Sequence, residues 1–269
     1  MPYFTLFRCE ECGSLTALPR PGGGALAALH DTAEYFDHPY FAGRRADQER
    51  IRQRCAAIGR RLGAETVASL RGRKHLDIGC DTGGLLAAAA ELFATQAVGI
   101  DVAARAVTLA HEAGIEAYHS DLAGVPTLRG FGLVTIVDVL EHVTDPISFM
   151  RDVESRIEPG GWCYLETPNI GSSVYQAGRL IATMTAGRPA WLCQRLFLPE
   201  HVQYLSEKGI RHLAAMSGLQ VQSAGHRALG SADINTAWPV QQAISALQLF
   251  DRMRGSEILH WAVLQKPAG

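Results

Sequence analysis

Asp77-Ile78-Gly79-Cys80-Asp81-Thr82-Gly83-Gly84 puts two carboxylates and three glycines into one short stretch. A glycine-rich turn between a strand and a helix lets backbone approach a ligand closely and points unpaired helix N–H groups at it. Dinucleotide sites use such a turn, written G-x-G-x-x-G, to face a pyrophosphate. Here Asp81 places a negative charge in the loop, which repels a pyrophosphate and suits a cationic ligand. Asp101 closes the next apolar stretch, where an acidic side chain either accepts from ribose hydroxyls or caps the following helix. His142, just beyond the fourth strand, is a candidate general base, although packing against a bound ligand suits it better. Asp138, Glu141 and His142 together offer ligands to a hard cation. Cys9 and Cys12, in Cys9-Glu10-Glu11-Cys12-Gly13, form half of a zinc site that lacks a second pair. His30, His38 and Cys55 are the candidates to complete it.

The elements that position these groups alternate. Lys74 to Ile78 reads as a strand, and Leu85 to Phe93 as an alanine-rich helix. Ala97 to Ile100 makes a second strand, Ala103 to Ala113 a helix closed by Gly114, Glu116 to His119 a third strand and Leu133 to Val137 a fourth. Asp145-Pro146 opens a helix to about Arg156, and Trp162 to Glu166 follows the Pro159-Gly160-Gly161 turn as a fifth strand. This alternation predicts an α/β fold, a parallel sheet with helices on both faces. Residues 1–70 form an appendage, with breakers at Pro19 to Gly24 and helices expected at Leu26 to Tyr35 and Asp47 to Leu62. The second carries Ile51, Cys55, Ile58 and Leu62 on one face. Residues 71–269 carry the main domain, with an insertion at about 168–205 that includes a helix over Tyr175 to Thr185. A helix over Ser206 to Met216 and strands at Leu219 to Ser223 and Ile258 to Gln265 complete the reading.

Leu76 to Gly84 resembles the first motif of class I S-adenosylmethionine-dependent methyltransferases, usually Asp-x-Gly-Cys-Gly-Thr-Gly, and departs from it at Asp81. Three further features fall at the spacing of that family: Val98-Gly99-Ile100-Asp101, His119-Ser120-Asp121-Leu122, and Val137-Asp138-Val139-Leu140-Glu141-His142-Val143-Thr144-Asp145-Pro146. The last is similar to ubiquinone-pathway and natural-product tailoring enzymes, some of which bind a metal at a comparable Glu-x-x-Glu-His. The resemblance spans Leu76 to Asn169. It implies a Rossmann-like seven-stranded sheet with a mostly helical N-terminal appendage, and S-adenosyl-L-methionine as cofactor. Asp77, Gly79, Cys80, Gly83, Asp101, Val102, Asp121, Leu122, Asp138 and Val139 would bind it, Asp101 at the ribose, Asp121 and Leu122 at the adenine. Many relatives also begin with a Cys-x-x-Cys-Gly segment, some with a full zinc site.

The resemblance further implies O-methylation of a small molecule, a secondary metabolite or quinone-like acceptor, with His201 or His142 as base. Phe36, Tyr40, Phe41, Tyr175, Trp191 and Phe197 supply aromatic surface for it. The rival reading keeps the cofactor as a structural ligand and uses the cleft for another reaction or for binding.

Composition narrows the partners. The chain has 25 Lys and Arg against 27 Asp and Glu, a formal net charge of −2 with no extended basic run, which disfavours nucleic acid. No apolar stretch approaches the roughly 20 residues of a membrane span, and Met1 to Arg20 lacks the pattern of a secretory signal. The expectation is a cytoplasmic enzyme, compatible with a homodimer, whose six scattered cysteines are free thiols.

Overall fold

In the computed structural model the described residues are 5–20, 24, 28, 31–32, 36, 43, 45, 47–185, 196–198, 200–230 and 238–269. Two short strands, β1 (Thr5–Arg8) and β2 (Leu15–Leu18), form an antiparallel hairpin across the Cys9 to Gly13 turn. Helices α1 (Gln48–Leu62) and α2 (Ala64–Ser69) follow. Then come β3 (Lys74–Ile78), α3 (Gly84–Phe93), β4 (Gln96–Asp101), α4 (Ala104–Glu112), β5 (Glu116–His119) and β6 (Phe131–Val137). A 3-10 turn at Leu140–His142 leads to α5 (Pro146–Arg156), β7 (Ile157–Pro168) and α6 (Ser173–Met184). The chain ends with β8 (Gln203–Tyr204), α7 (Glu207–Met216), β9 (Gln220–Arg227), α8 (Trp238–Arg254) and β10 (Leu259–Gln265).

The main sheet has seven strands in the order β5-β4-β3-β6-β7-β10-β9. The first five run parallel, and β10 and β9 add antiparallel neighbours. Successive strand residues face opposite sides of a sheet, and the two cores follow that rule. Val134, Cys163 and Leu165 join Met150 and Val153 of α5 and Ile210 and Leu213 of α7 on one face. Leu133 and Tyr164 join Cys55, Ile58 and Leu62 of α1 and Ala88 and Phe93 of α3 on the other. The α1 stripe is therefore core, and this helix covers the sheet.

Strand order reverses between β3 and β6, so their carboxyl ends flank the crevice where open α/β sheets take ligands. Helix starts are where side-chain chemistry put them: Asp47 accepts from Arg50 N, Asp145 from Ser148 N with Pro146 behind it, and Ser206 from Gly209 N.

Several features go beyond the sequence reading. The appendage is not only helical, because the β1–β2 hairpin pairs with β8 through Leu15 and Tyr204. Ser206 Oγ donates to Cys12 O at 2.5 Å and Lys208 Nζ to Glu11 O at 2.6 Å, so the cysteine turn docks on the start of α7. The fifth strand of the reading extends back through Pro159-Gly160-Gly161 to Ile157, with an irregular register against β6. Helix α8 was not expected. Its buried residues are Gln248 and Asp251, and both Asp251 oxygens accept from Ser173 N, at 3.0 and 2.8 Å, to cap α6. Polar anchoring leaves little hydrophobic periodicity to read. Most of the helix expected over Leu26 to Tyr35 lies outside the described residues, as do Tyr40, Phe41, His30, His38, Trp191 and Cys193.

Candidate active site

Backbone conformation dictates the glycine loop. Gly79 sits at φ +77°, and a Cβ there would collide with Val139 Cγ2, so the turn after β3 presses against the turn after β6. Gly83, at φ +79°, would bring a Cβ to 2.9 Å from Ile115 Cγ1. Gly79 N and Cys80 N both bond Ile100 O, which ties the loop to β4. The missing side chain at Gly79 is what lets Val139 pack against the loop's backbone.

Asp81 adopts φ +48°, the left-handed region that aspartate tolerates better than most residues and glycine adopts freely. That explains how an acidic residue stands where glycine is usual. Its amide donates to Asp101 Oδ2 at 2.9 Å, and Ala103 N donates to Asp101 Oδ1 at 2.9 Å. Asp101 thus joins two loops, one carboxylate oxygen on the amide of Asp81 and the other on that of Ala103. The Asp81 carboxylate accepts from Arg45 Nε at 2.7 and 2.9 Å. Its charge, which suits a cationic ligand, is thus shared with a guanidinium of the same chain.

The remaining cofactor candidates divide by burial. Cys80 is buried beside Leu86 and Val107, and burial pushes its thiol up, which makes it an inert packing group. Leu122 is 4% exposed within the core, and Asp121 is exposed with Oδ1 accepting from Gly124 N at 2.8 Å. Fully buried Arg156 holds this loop by donating to the carbonyls of Leu122, Val125 and Leu128. Val102 is half-buried and its carbonyl meets His119 Nε2 at 3.0 Å. Asp77 is buried under the loop. Desolvation pushes its carboxyl up to about 7, opposed by the bond that Thr135 Oγ1 donates at 2.5 Å. His75 Nε2 lies 2.9 Å behind Thr135, and burial takes that imidazole down to about 3.

Across the crevice, the turn after β6 meets the segment at 198–205. Val202 N donates to Glu141 O at 2.8 Å, and His142 Nδ1 lies 3.0 Å from Glu200 O. The His142 and His201 rings meet edge to face, with centroids 4.8 Å apart. Glu141 is buried, and desolvation, with Asp138 adding, pushes its carboxyl up to about 8 against the bond from Thr167 Oγ1 at 2.9 Å. Glu141, His142 and His201 each offer a ligand atom, all within 4.8 Å of one another. The cation trio read from the sequence is therefore corrected: His201 takes the third place, and the Asp138 carboxylate, at φ +59°, accepts from Arg54 Nη2 at 3.0 Å. Tyr175 and Phe197 pack as a buried pair with Tyr204, so they are core more than substrate surface.

Sequence reasoning missed Glu166. It is fully buried at the end of β7 and accepts from Arg54 at 2.5 Å, Arg61 at 3.2 Å and Arg227 at 2.5 Å. Desolvation alone would raise its carboxyl, but Arg54 and Arg227 outweigh that and hold it well below the usual range. Its partners come from α1 and β9, so no local pattern marks it.

At the other end, Cys9 is exposed, and the Cys12 amide, the Cys12 side chain and the Glu11 amide lower its thiol. Among the described residues no third ligand joins this pair. Cys55 lies fully buried in the core below α1, which removes it as a completing ligand.

A glycine turn at the carboxyl end of β3, an aspartate at the end of β4 that accepts two loop amides and a strand-order reversal beside them are the features of an α/β nucleotide-type site. Residues 47–224 match the model of a family described as a methyltransferase domain, and the chain belongs to that family. It is an S-adenosylmethionine-dependent methyltransferase acting on a small-molecule acceptor. It is 32% identical over 170 residues to a ubiquinone biosynthesis O-methyltransferase of Chromobacterium violaceum, covering 58% of this chain and 68% of that protein. A protein of the same description from Albidiferax ferrireducens is 36% identical over 112 residues, 38% of this chain and 44% of that one. The chain thus spans between about two fifths and two thirds of these relatives. Among solved structures, the [4+2]-cyclase SpnF superposes with a TM-score of 0.62 at 15% identity over 93% of this chain and 99% of that one. The cyclopropane synthase MmaA2 of Mycobacterium tuberculosis gives 0.60 at 16% identity, over 93% and 100%. Those two show the fold alone. No helix among the described residues is long and apolar enough to cross a membrane.

Proposed function

We propose that this enzyme transfers the methyl group to a hydroxyl of a quinone-like or secondary-metabolite acceptor, with His142 as general base and His201 holding its ring. The observation that carries this is the His142 contact with Glu200 O. A carbonyl only accepts, so Nδ1 carries the proton and Nε2 carries the lone pair, the tautomer a base needs. The edge-to-face contact with buried His201 fixes the plane of that ring.

S-adenosylmethionine, when bound, supplies a methyl already made electrophilic by its sulfonium. The chain then has to align the acceptor and take its proton. Asp77, Gly79, Cys80, Gly83, Asp101, Val102, Asp121, Leu122, Asp138 and Val139 line the cofactor side in this reading, through backbone groups more than side chains. The two relatives described as ubiquinone biosynthesis O-methyltransferases support the hydroxyl acceptor. A cytoplasmic location, a homodimer and zinc at Cys9 and Cys12 belong to the same reading, as does the division into an appendage at 1–70 and a catalytic domain at 71–269.

The test is methyl transfer from labelled cofactor to a panel of phenolic and catecholic acceptors, with elemental analysis of the purified protein. Cofactor binding without transfer to any acceptor would favour a non-methylating protein. A second reading rests on the Glu141, His142 and His201 cluster, where a divalent cation would acidify the hydroxyl directly. Loss of turnover on chelation, restored by a divalent metal, distinguishes it from a metal-free histidine base.

A further inference from the structure

Helix α8 is built inside out. A surface helix ordinarily turns its apolar stripe to the core. The fully enclosed residues of α8 are Gln248 and Asp251, while Leu249, Phe250 and Met253 stand at the surface, Met253 78% exposed. Ile244 and Leu247 lean only partly onto the cluster around Tyr175. Spending an aspartate on the inner side and leaving Phe250 and Met253 in water gains nothing in an isolated chain.

The outward apolar surface continues onto α6, which packs against α8 and is capped by its Asp251. Leu180, Ile181 and Met184 are exposed there, Met184 by 77%, and Trp238 is 72% exposed at the start of α8. Among the described residues only Phe7, Leu18 and Met216 are large exposed hydrophobics elsewhere. The seven side chains on α6 and α8 present on the order of 800 Å², more than the largest patch of an ordinary monomer and one partner's share of a standard interface. Neither helix has a lysine or a glutamate, and the one aspartate is buried. Aromatic residues, methionine and arginine without other charges are the composition of a protein interface. Arg179, Arg252 and Arg254 are the cations of these helices, and Arg252 already meets Glu257 at 3.4 Å. That is few for an anionic bilayer, which is held by larger basic clusters.

The exposed stripe of α8 is also graded in size. Gln242, Ala243 and Ala246 occupy its first half, and Leu249, Phe250 and Met253 its second. We infer that the outer face of α6 and α8 is the interface between two copies of this chain, with α8 antiparallel to its copy across a two-fold axis between Ala246 and Leu249. The large side chains of each copy then cover the small ones of the other, the self-complementarity that a two-fold contact requires. Helix α6 begins just past the carboxyl end of β7, and its Tyr175 packs on Tyr204, whose ring lies 5.8 Å from that of His201. Pairing therefore braces the histidine side of the crevice. The inference gives a surface to the homodimer of the proposed function and depends on neither the acceptor nor the base, so either can fail without the other.

The test is sedimentation equilibrium and light scattering on the full chain from about 0.1 to 100 µM. The proteins are wild type, Leu249→Glu, Met253→Glu, Ala246→Phe and, as a control on another exposed residue, Met216→Glu. Thermal midpoints and S-adenosylhomocysteine affinity are recorded for each and should match wild type, because all these positions are exposed. Wild type should be a dimer with a dissociation constant of about 1 µM or below, and each glutamate on α8 should weaken it about 100-fold. Ala246→Phe adds apolar surface but fills the space that the other copy needs, so it should weaken pairing too, whereas Met216→Glu leaves it unchanged. A wild-type monomer at the highest concentration overturns the inference, as does a dimer indifferent to Leu249→Glu and Met253→Glu. Tighter pairing in Ala246→Phe overturns it as well. So does a monomer that sediments with phosphatidylcholine and phosphatidylglycerol vesicles, which would make the face a lipid contact.

Discussion

The two sides of the crevice are built by different means. On the cofactor side, the turns after β3 and β4 are contiguous stretches whose job is done by backbone, with Gly79 and Gly83 at positive φ and Asp101 accepting two amides. On the other, which the proposed reaction makes the acceptor side, His142 depends on Glu200 and His201, and the neighbouring buried Glu166 depends on arginines from α1 and β9. A backbone cradle can be encoded locally, because a handful of adjacent residues fixes its dihedrals. A side-chain cluster needs the whole fold to bring its members together.

The contrast predicts that single changes on the acceptor side disturb the molecule most. Glu166→Gln leaves three guanidiniums around a neutral amide in a fully buried position, and should cost about 3–5 kcal/mol, a fall of roughly 10 °C in thermal midpoint. A fall under about 2 °C would mean that the cluster is solvated and that the two sides are alike. His142→Ala should lower kcat by about 100-fold or more on a hydroxyl acceptor with cofactor affinity intact, which separates chemistry from binding. If affinity drops instead, His142 belongs to the cofactor side.

Smaller effects are expected where the backbone does the work. Gly79→Ala must displace Val139 and adopt an unfavourable φ, and should weaken cofactor binding by about 10- to 100-fold in calorimetry without unfolding the protein. The smallest effect concerns Asp77. Its carboxyl titrates near 3.8 when unfolded and at about 7 when folded, so the folded state binds more protons between those values. Stability contributed by this group is therefore present at low pH and lost as pH rises through 7. Asp77→Asn should raise the thermal midpoint at pH 8 by ~2 °C or more and change it little at pH 4. Equal shifts at both values would show that Asp77 stays ionised beneath the loop.

The parallel core was legible because strands and helices alternate at short intervals with glycine and proline between them, and the caps at Asp145-Pro146 and Ser206 stood where local hydrogen bonding puts them. The hairpin at Thr5–Leu18 was not, since its strands are four residues each and their partner Tyr204 is almost two hundred residues away. Helix α8 escaped for a related reason: what it buries best is an aspartate that caps another helix. Asp81 shows the limit most clearly. Its charge was visible and suited a cationic ligand, but its partner Arg45, 36 positions earlier, was not legible.

The turn of the cofactor loop was legible in the sequence, because the positive φ of Gly79 and Gly83 is a requirement of the backbone at those two positions. Tertiary structure alone decided which nitrogen of His142 meets the Glu200 carbonyl, that His201 joins Glu141 and His142, and that three arginines surround Glu166. Those facts depend on contacts between residues dozens to hundreds of positions apart, and such contacts exist only once the sheet has closed its order.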